Sequence, residues 1–258
     1  MRLVISVLLF VASFTTHSME YIHGYHDFPP YVEKIEGKKG ADAAGGTAVQ
    51  VAKAIYQEAG LKVKFVFLPY VRMVDQLVNG QIHFGNYGGG LGNDEIERNL
   101  YLGAELRPVP ITLFLFYKSD IEPPKSINDF INRRVVSMRA YPFGPFEGIK
   151  QLDGVKINVQ TNMESSVKML LRERADFLFH FKEPYDKGLA IENSGWQKLE
   201  QKVNSGDYKK QLILQMQGFP VAVSRNFEGA KSVQDTIINT IQILIDKGLL
   251  DPETNLLR

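Results

Sequence analysis

The 258-residue chain contains no cysteine. That absence excludes disulfide staples, thiolate catalysis and a lipid-modified N-terminal cysteine, so the fold has to be held by its core alone. A strong charge of either sign is missing too: 30 Lys and Arg stand against 29 Asp and Glu, for a net charge of +1. With no block of basic residues, nucleic acid is not expected as a partner. Long apolar runs are scarce. Residues 3–14 are apolar except for Ser6 and Ser13. That run is short of the roughly 20 residues a membrane span needs. The longest later run, 109–117, is broken by Pro110 and Thr112. There is no Gly-x-Gly-x-x-Gly and no Gly-Lys-Ser/Thr ending, which excludes the usual dinucleotide and phosphate loops.

What is present begins with Arg2, the apolar stretch and then Thr15-Thr16-His17-Ser18. A charged start, an apolar middle and a small residue near a cut read as an export signal, with cleavage expected after Ser18 and the periplasm as destination. The competing reading is a buried N-terminal strand or a retained anchor. About 240 residues follow, in a sequence that is 44% apolar. That is enough for one large domain or two small ones.

The most informative stretch runs from Gly46 to Arg98. Ala48, Val51, Ala52, Ile55 and Ala59 recur at helical spacing and Gly60 closes the pattern. Thr47-Ala48-Val49-Gln50 has the spacing of a capping box. An apolar run at 63–68 predicts a strand that ends in Pro69-Tyr70-Val71-Arg72. A second helix is predicted from Val71, Val74, Leu77 and Val78, with Gly80 as its stop, and a short strand from 81–86 opens into the glycines at 88–92. Helix and strand in alternation predict parallel strands with crossover helices. Ligands of such sheets sit beyond the carboxyl ends of the strands.

The same rhythm extends to both sides. Residues 21–25 predict a strand ending at His26-Asp27-Phe28-Pro29-Pro30-Tyr31, and 34–46 a loop or small hairpin. Residues 111–117 form a strong strand pattern, and 119–125, with Pro123-Pro124, a connection to a second unit. There, strands are predicted at 134–138, 155–159 and 176–181, and a helix at 162–174. Ser126-Ile127-Asn128-Asp129 resembles a capping box, and another helix follows Lys182-Glu183-Pro184. Residues 196–207 are poorly patterned; 212–216 and 221–224 predict two further strands, and 231–247 a long helix stopped by Gly248.

These pieces together resemble family 3 extracellular solute-binding proteins, the group that includes polar amino-acid receptors of ABC transporters. The matching pieces are Phe28-Pro29-Pro30-Tyr31, the helix at 46–60, Pro69-Tyr70, the phrase at 77–83 and Glu97-Arg98 before Tyr101-Leu102. In the second unit they are 135–144, 169–176 and 245–249. Order and spacing carry the resemblance, which covers nearly all of the chain after residue 18. It implies an α/β type II periplasmic-binding fold: two lobes, each a mainly parallel sheet flanked by helices, joined by two crossing hinge strands. The expected boundaries are 19–110 plus 217–258 for lobe 1 and 118–216 for lobe 2, with crossings at 111–117 and about 215–221. Solute would bind between lobes that close by a hinge motion.

The resemblance also implies site residues. Arg98 falls where amino-acid receptors place the guanidinium that forks onto a ligand carboxylate; its plain alternative is a surface arginine paired with Glu95 or Glu97. Phe28 and Tyr70 fall on two aromatic walls. Arg72 could add a second positive group, or simply keep its helix face in water. Gly90, within the glycine run, offers close backbone approach and free N–H donors. Arg139 and Tyr141 stand in the turn that usually carries Gly-Ser/Thr before a helix. Where many such receptors have an aspartate for the ligand's amino group, this chain reads Phe177-Leu178-Phe179-His180-Phe181. That departure argues against an ordinary α-amino acid and leaves His180 as a donor to a ligand oxygen, or as a core residue. His23-x-x-His26 is the one close histidine pair; with no cysteine and only Glu20 and Asp27 nearby, it does not read as a metal site.

The leading expectation is a non-catalytic, exported, monomeric receptor for a small organic anion or amino-acid-like solute, without cofactor or metal, passing its cargo to a membrane permease. Two alternatives stay open: a cyclic-acid dehydratase on the same fold, using His180 or Glu183, and a sensing lobe for a membrane signalling partner.

Overall fold

A computed structural model of the chain describes residues 19–89, 94–138 and 143–258. The expected export segment, Gly90, Arg139 and Tyr141 lie outside the described residues. In chain order the elements are β1 (Tyr21–Tyr25), β2 (Glu33–Lys34), β3 (Ala44–Gly45), α1 (Thr47–Glu58), β4 (Val63–Phe67), α2 (Tyr70–Val78), β5 (Phe84–Gly89), α3 (Asp94–Arg98), β6 (Leu100–Tyr101) and β7 (Val109–Lys118). They continue with β8 (Arg134–Met138), β9 (Lys156–Gln160), α4 (Met163–Leu171), β10 (Phe177–Phe181), α5 (Lys182–Leu189), α6 (Gly195–Asn204), β11 (Tyr208–Ser224) and α7 (Ala230–Asp246).

The main sheet runs β4-β1-β5-β11-β7-β10-β8-β9, with β6 on β11. Strand β1 pairs in parallel with β4 and β5, and β8 pairs in parallel with β9 and β10. Between these parallel halves lie β7 and β11, antiparallel to each other from Tyr208 opposite Lys118 to Gly218 opposite Val109. They are the two crossing strands. Helices α1, α2 and α7 pack on the first lobe, and α4, α5 and α6 on the second. One core cluster centres on Val51, Ile55, Met73, Leu77, Phe84 and Ile237 and extends beneath both lobes; a second gathers Phe116, Val136, Leu170, Tyr185, Trp196 and Leu199.

Three local expectations change. Thr47 does not cap α1. Gly46 is the N-cap, with no side-chain cap bond, and the first amides are met by the chain itself: Thr47 N–H donates to Pro30 O at 3.1 Å and Ala48 N–H to Tyr31 O at 2.9 Å. Only glycine fits at this docking point, because Gly46 has φ +92° and a Cβ there would lie 2.4 Å from Tyr31 O. Most of residues 196–207, weak in sequence, belong to helix α6, capped by Ser194 Oγ accepting from Gln197 N–H at 3.2 Å. Its buried stripe is narrow, Trp196 and Leu199 amid Gln, Lys and Glu, so tertiary packing on α4 and α5 decides it rather than pattern. The strands expected at 212–216 and 221–224 are one strand, β11, which stays continuous because β7 and then β5 pair along it. The loop or hairpin at 34–46 includes the antiparallel pair of β2 and β3.

Candidate functional site

Residues at or just beyond the carboxyl ends of β1, β4 and β10 converge with the crossing strands on one space. A cavity of about 110 Å³ opens there. After β1 the chain makes a tight turn in which Phe28 N–H donates to Val32 O at 2.8 Å and Val32 N–H to Phe28 O at 3.0 Å. The Pro29-Pro30 bond inside this turn is cis. The turn stacks Tyr31 on Phe28, centroids 6.3 Å apart and planes within 18°. After β4, Pro69 stops the strand and starts α2, so Tyr70 is presented from a helix N-terminus. From the second lobe, Phe181 ends β10 and meets Phe28 edge to face at 5.2 Å. Ile111 on β7 and Met216 on β11 contribute from the crossing strands. Rings from two lobes and apolar side chains from both connections thus enclose one space.

The polar groups of this space are few: Asp27, whose carboxyl is raised by burial, with His26, Tyr31, Tyr70, Asn86 and Tyr87. His26 lines it and packs edge to face on Tyr70 at 4.8 Å; burial lowers its imidazole to about 4, so the ring is neutral at pH 7. Tyr70 Oη donates weakly to Gly88 O at 3.5 Å, and burial raises its phenol above the usual range. Tyr87 is pushed up to about 12, by burial first and then by the charge of Glu97. Asn86, also lining, is 4% exposed. Among the described residues that line the cavity there is no lysine or arginine.

Beside the cavity, Glu183 in the first turn of α5 is buried against the first crossing. Its Oε1 accepts from Thr112 N–H at 3.0 Å. Burial raises its carboxyl to about 7, and its charge acts on Tyr31 of the other lobe. At the rim, Lys187 of α5 pairs with Glu33 of β2 across the lobes.

The sequence-predicted residues therefore divide. Phe28 and Tyr70 come together at the cavity. Arg72 is exposed on α2 and Arg98 is exposed at the end of α3; neither lines the cavity. Gly90, Arg139 and Tyr141 lie outside the described residues. His180 is not brought to the site. Strand alternation sends Phe181 to the cavity and His180 to the other face, where it is 0% exposed and packs on Trp196 at 4.6 Å. Neither His180 nor Glu183 lines the cavity, so the acid/base pair considered for dehydration does not assemble there. Among the polar and aromatic lining residues, sequence reasoning missed His26, Asp27, Tyr31, Asn86, Tyr87 and Phe181 as well as Phe219. For Phe181 the period-two pattern of 177–181 was a usable signal; for Asn86 there was none. Among the described residues no cluster of three or more His, Asp or Glu could hold a metal ion, and no helix is long and apolar enough to cross a membrane.

No family model matches the sequence, and no curated protein matches it. Solved structures do match. A histidine kinase sensor domain with similarity to periplasmic binding proteins aligns over 88% of this chain and 91% of its own at 15% identity, TM-score 0.61. Holo ArgBP from T. maritima aligns over 90% and 92% at 16% identity, TM-score 0.56. The substrate-binding protein of an amino acid ABC transporter aligns over 89% and 95% at 18% identity, TM-score 0.55. At such identities the likeness establishes the fold: this chain is an α/β protein of the two-lobed type II periplasmic-binding kind.

Proposed function

We propose that this protein is an exported receptor that captures a small solute between its lobes. The observation that carries the reading is the cavity walled by Phe28 and Tyr70 from one lobe and Phe181 from the other, over the two crossing strands. Closing two lobes on a solute removes both ring faces and solute from water, which is where affinity comes from. The solute carries a carboxylate on an apolar body. Arg98, at the end of α3 and outside the cavity's lining, is the candidate guanidinium for it. Glu97, the neighbour of Arg98, acts on both Tyr70 and Tyr87, which supports a position of α3 beside the cavity. Delivery goes to a membrane permease. Calorimetry on the purified protein against organic acids, amino acids and short peptides tests this: saturable heat with a carboxylate-bearing member is expected, and no heat with any member overturns it.

A second reading, a sensing lobe for a membrane signalling partner, is favoured by the likeness to a histidine kinase sensor domain. Adjacent genes discriminate the two. A permease and an ATPase support delivery; a membrane-bound signalling protein supports sensing.

A further inference from the structure

Beneath the cavity lies a chain of four polar groups, all buried. His23, on β1, is 0% exposed; its Nδ1 is 2.7 Å from Tyr56 Oη and its Nε2 is 3.1 Å from Asn86 Oδ1. Asn86 Nδ2 is 2.7 Å from Pro220 O. The proton positions follow from one end. A backbone carbonyl only accepts, so the Asn86 nitrogen must face Pro220. Its oxygen then faces His23 Nε2, which must carry the hydrogen. Burial lowers His23 to about 4, so the ring is neutral at pH 7 and Nδ1 must be the acceptor for the Tyr56 hydroxyl. Every donor points the same way: Tyr56 to His23, His23 to Asn86, Asn86 to Pro220. Hydrogen bonds aligned in series polarise one another toward the final donor.

The chain uses one amide hydrogen of Asn86 and leaves the second. Asn86 lines the cavity, and Pro220 borders the same space from β11. We propose that Asn86 reads the solute, its free amide hydrogen donating to a carbonyl or carboxylate oxygen on a flat apolar body. His23 and Tyr56 are positioning residues that hold the amide in register. This rests on the receptor reading and narrows it: the solute presents an acceptor oxygen to β5 while its body lies against Phe28, Tyr70 and Phe181. A neutral amide suits this task, because it recognises an oxygen whether or not that oxygen is charged, and costs less to bury than an ion.

Two measurements on the full protein test it. Nitrogen-15 NMR of the histidine rings reads the tautomer directly: His23 with hydrogen on Nε2 is expected, and hydrogen on Nδ1 overturns the proposal. Calorimetry then measures phenylacetamide and, as a control with the same ring and no acceptor oxygen, 2-phenylethylamine, which is a cation near neutral pH. Asn86→Leu is expected to weaken phenylacetamide by about tenfold, the size of one hydrogen bond to a buried group, and to weaken the amine less. Tyr56→Phe weakens phenylacetamide by about threefold in wild type and not at all once Asn86→Leu is present, the coupling expected of a positioning group. A merely structural Tyr56 would weaken both backgrounds alike, and that result counts against the proposal. Tyr56→Phe keeps its ring, so it remains informative if Asn86→Leu does not fold. Undiminished phenylacetamide binding by Asn86→Leu overturns the role of Asn86 and leaves the receptor standing. Binding of some other panel member with neither probe bound overturns the solute class alone, and no binding of any compound overturns both readings.

Discussion

The two lobes each bury a histidine completely. His23 in the first and His180 in the second are both 0% exposed, and burial lowers both to about 4. Their surroundings differ. His23 is hydrogen-bonded on both ring nitrogens and connects through Asn86 to the cavity. His180 has Nδ1 3.1 Å from the Phe181 carbonyl and lies against Trp196 in the second lobe's core. Equal burial and equal titration thus accompany unequal roles. The connection to the cavity distinguishes them, which is why a perturbed histidine alone is a poor pointer to a site.

The largest effect expected from this comparison is on acid stability. A histidine that binds its proton near pH 6.5 when unfolded and near 4 when folded favours the unfolded state as pH falls between those values. The stability is fully present above about 6.5 and is lost toward 4. His23 and His180 should each account for on the order of 3 kcal/mol of that loss, and His26, lowered in the same way, adds to it. Urea melts from pH 8 to pH 4 should show a steep decline. His23→Phe and His180→Phe should flatten it to similar degrees, and a curve flat in wild type would contradict the burial argument.

At pH 7.5 the same two variants should part company. His23→Phe leaves the Tyr56 hydroxyl and Asn86 oxygen buried and unpaired, a loss of about 2–4 kcal/mol, and it weakens solute binding. His180→Phe lowers stability while leaving affinity within about twofold, since its ring turns away from the cavity and packs on Trp196. Equal losses of affinity would erase the distinction between the lobes.

Next in size are the rings. Phe28→Ala and Phe181→Ala should each weaken solute binding by about 1–2 kcal/mol, roughly 5- to 30-fold. If only Phe28→Ala does so, the first lobe binds alone. Glu183→Gln should act in the opposite pH sense from the histidines. A carboxyl raised from 4.5 to about 7 keeps its proton in the fold, so its contribution is present below 4.5 and is lost as pH rises through 7. The amide should therefore raise the melting temperature at pH 8 and leave it unchanged at pH 4. Smallest is Lys187→Ala, which removes an exposed ion pair between lobes and should cost under about 0.5 kcal/mol.

Much of this architecture was legible because its signals are local. The spacing of Val51, Ala52 and Ile55, the glycine after α1, and the Pro69-Tyr70 stop each act within a few residues, and the strands and helices around them follow. Phe28 and Tyr70 stand at such punctuated strand ends and could be picked out there. What escaped depends on contacts distant in sequence. Helix α6 is set by packing, and the single long β11 by its partners. Residue Asn86 is oriented by Pro220, 134 positions away. The choice of His180 over Phe181 shows how sharply a strand discriminates: one step along β10 exchanges the cavity face for the opposite core.

A crystal structure of the protein with a carboxylate-bearing solute from the calorimetric panel tests the central claim most directly. Density for that solute is predicted between Phe28, Tyr70 and Phe181, with an acceptor oxygen within hydrogen-bonding distance of Asn86 Nδ2. A solute bound on the outer surface of either lobe, with the space between these rings unfilled, would contradict it.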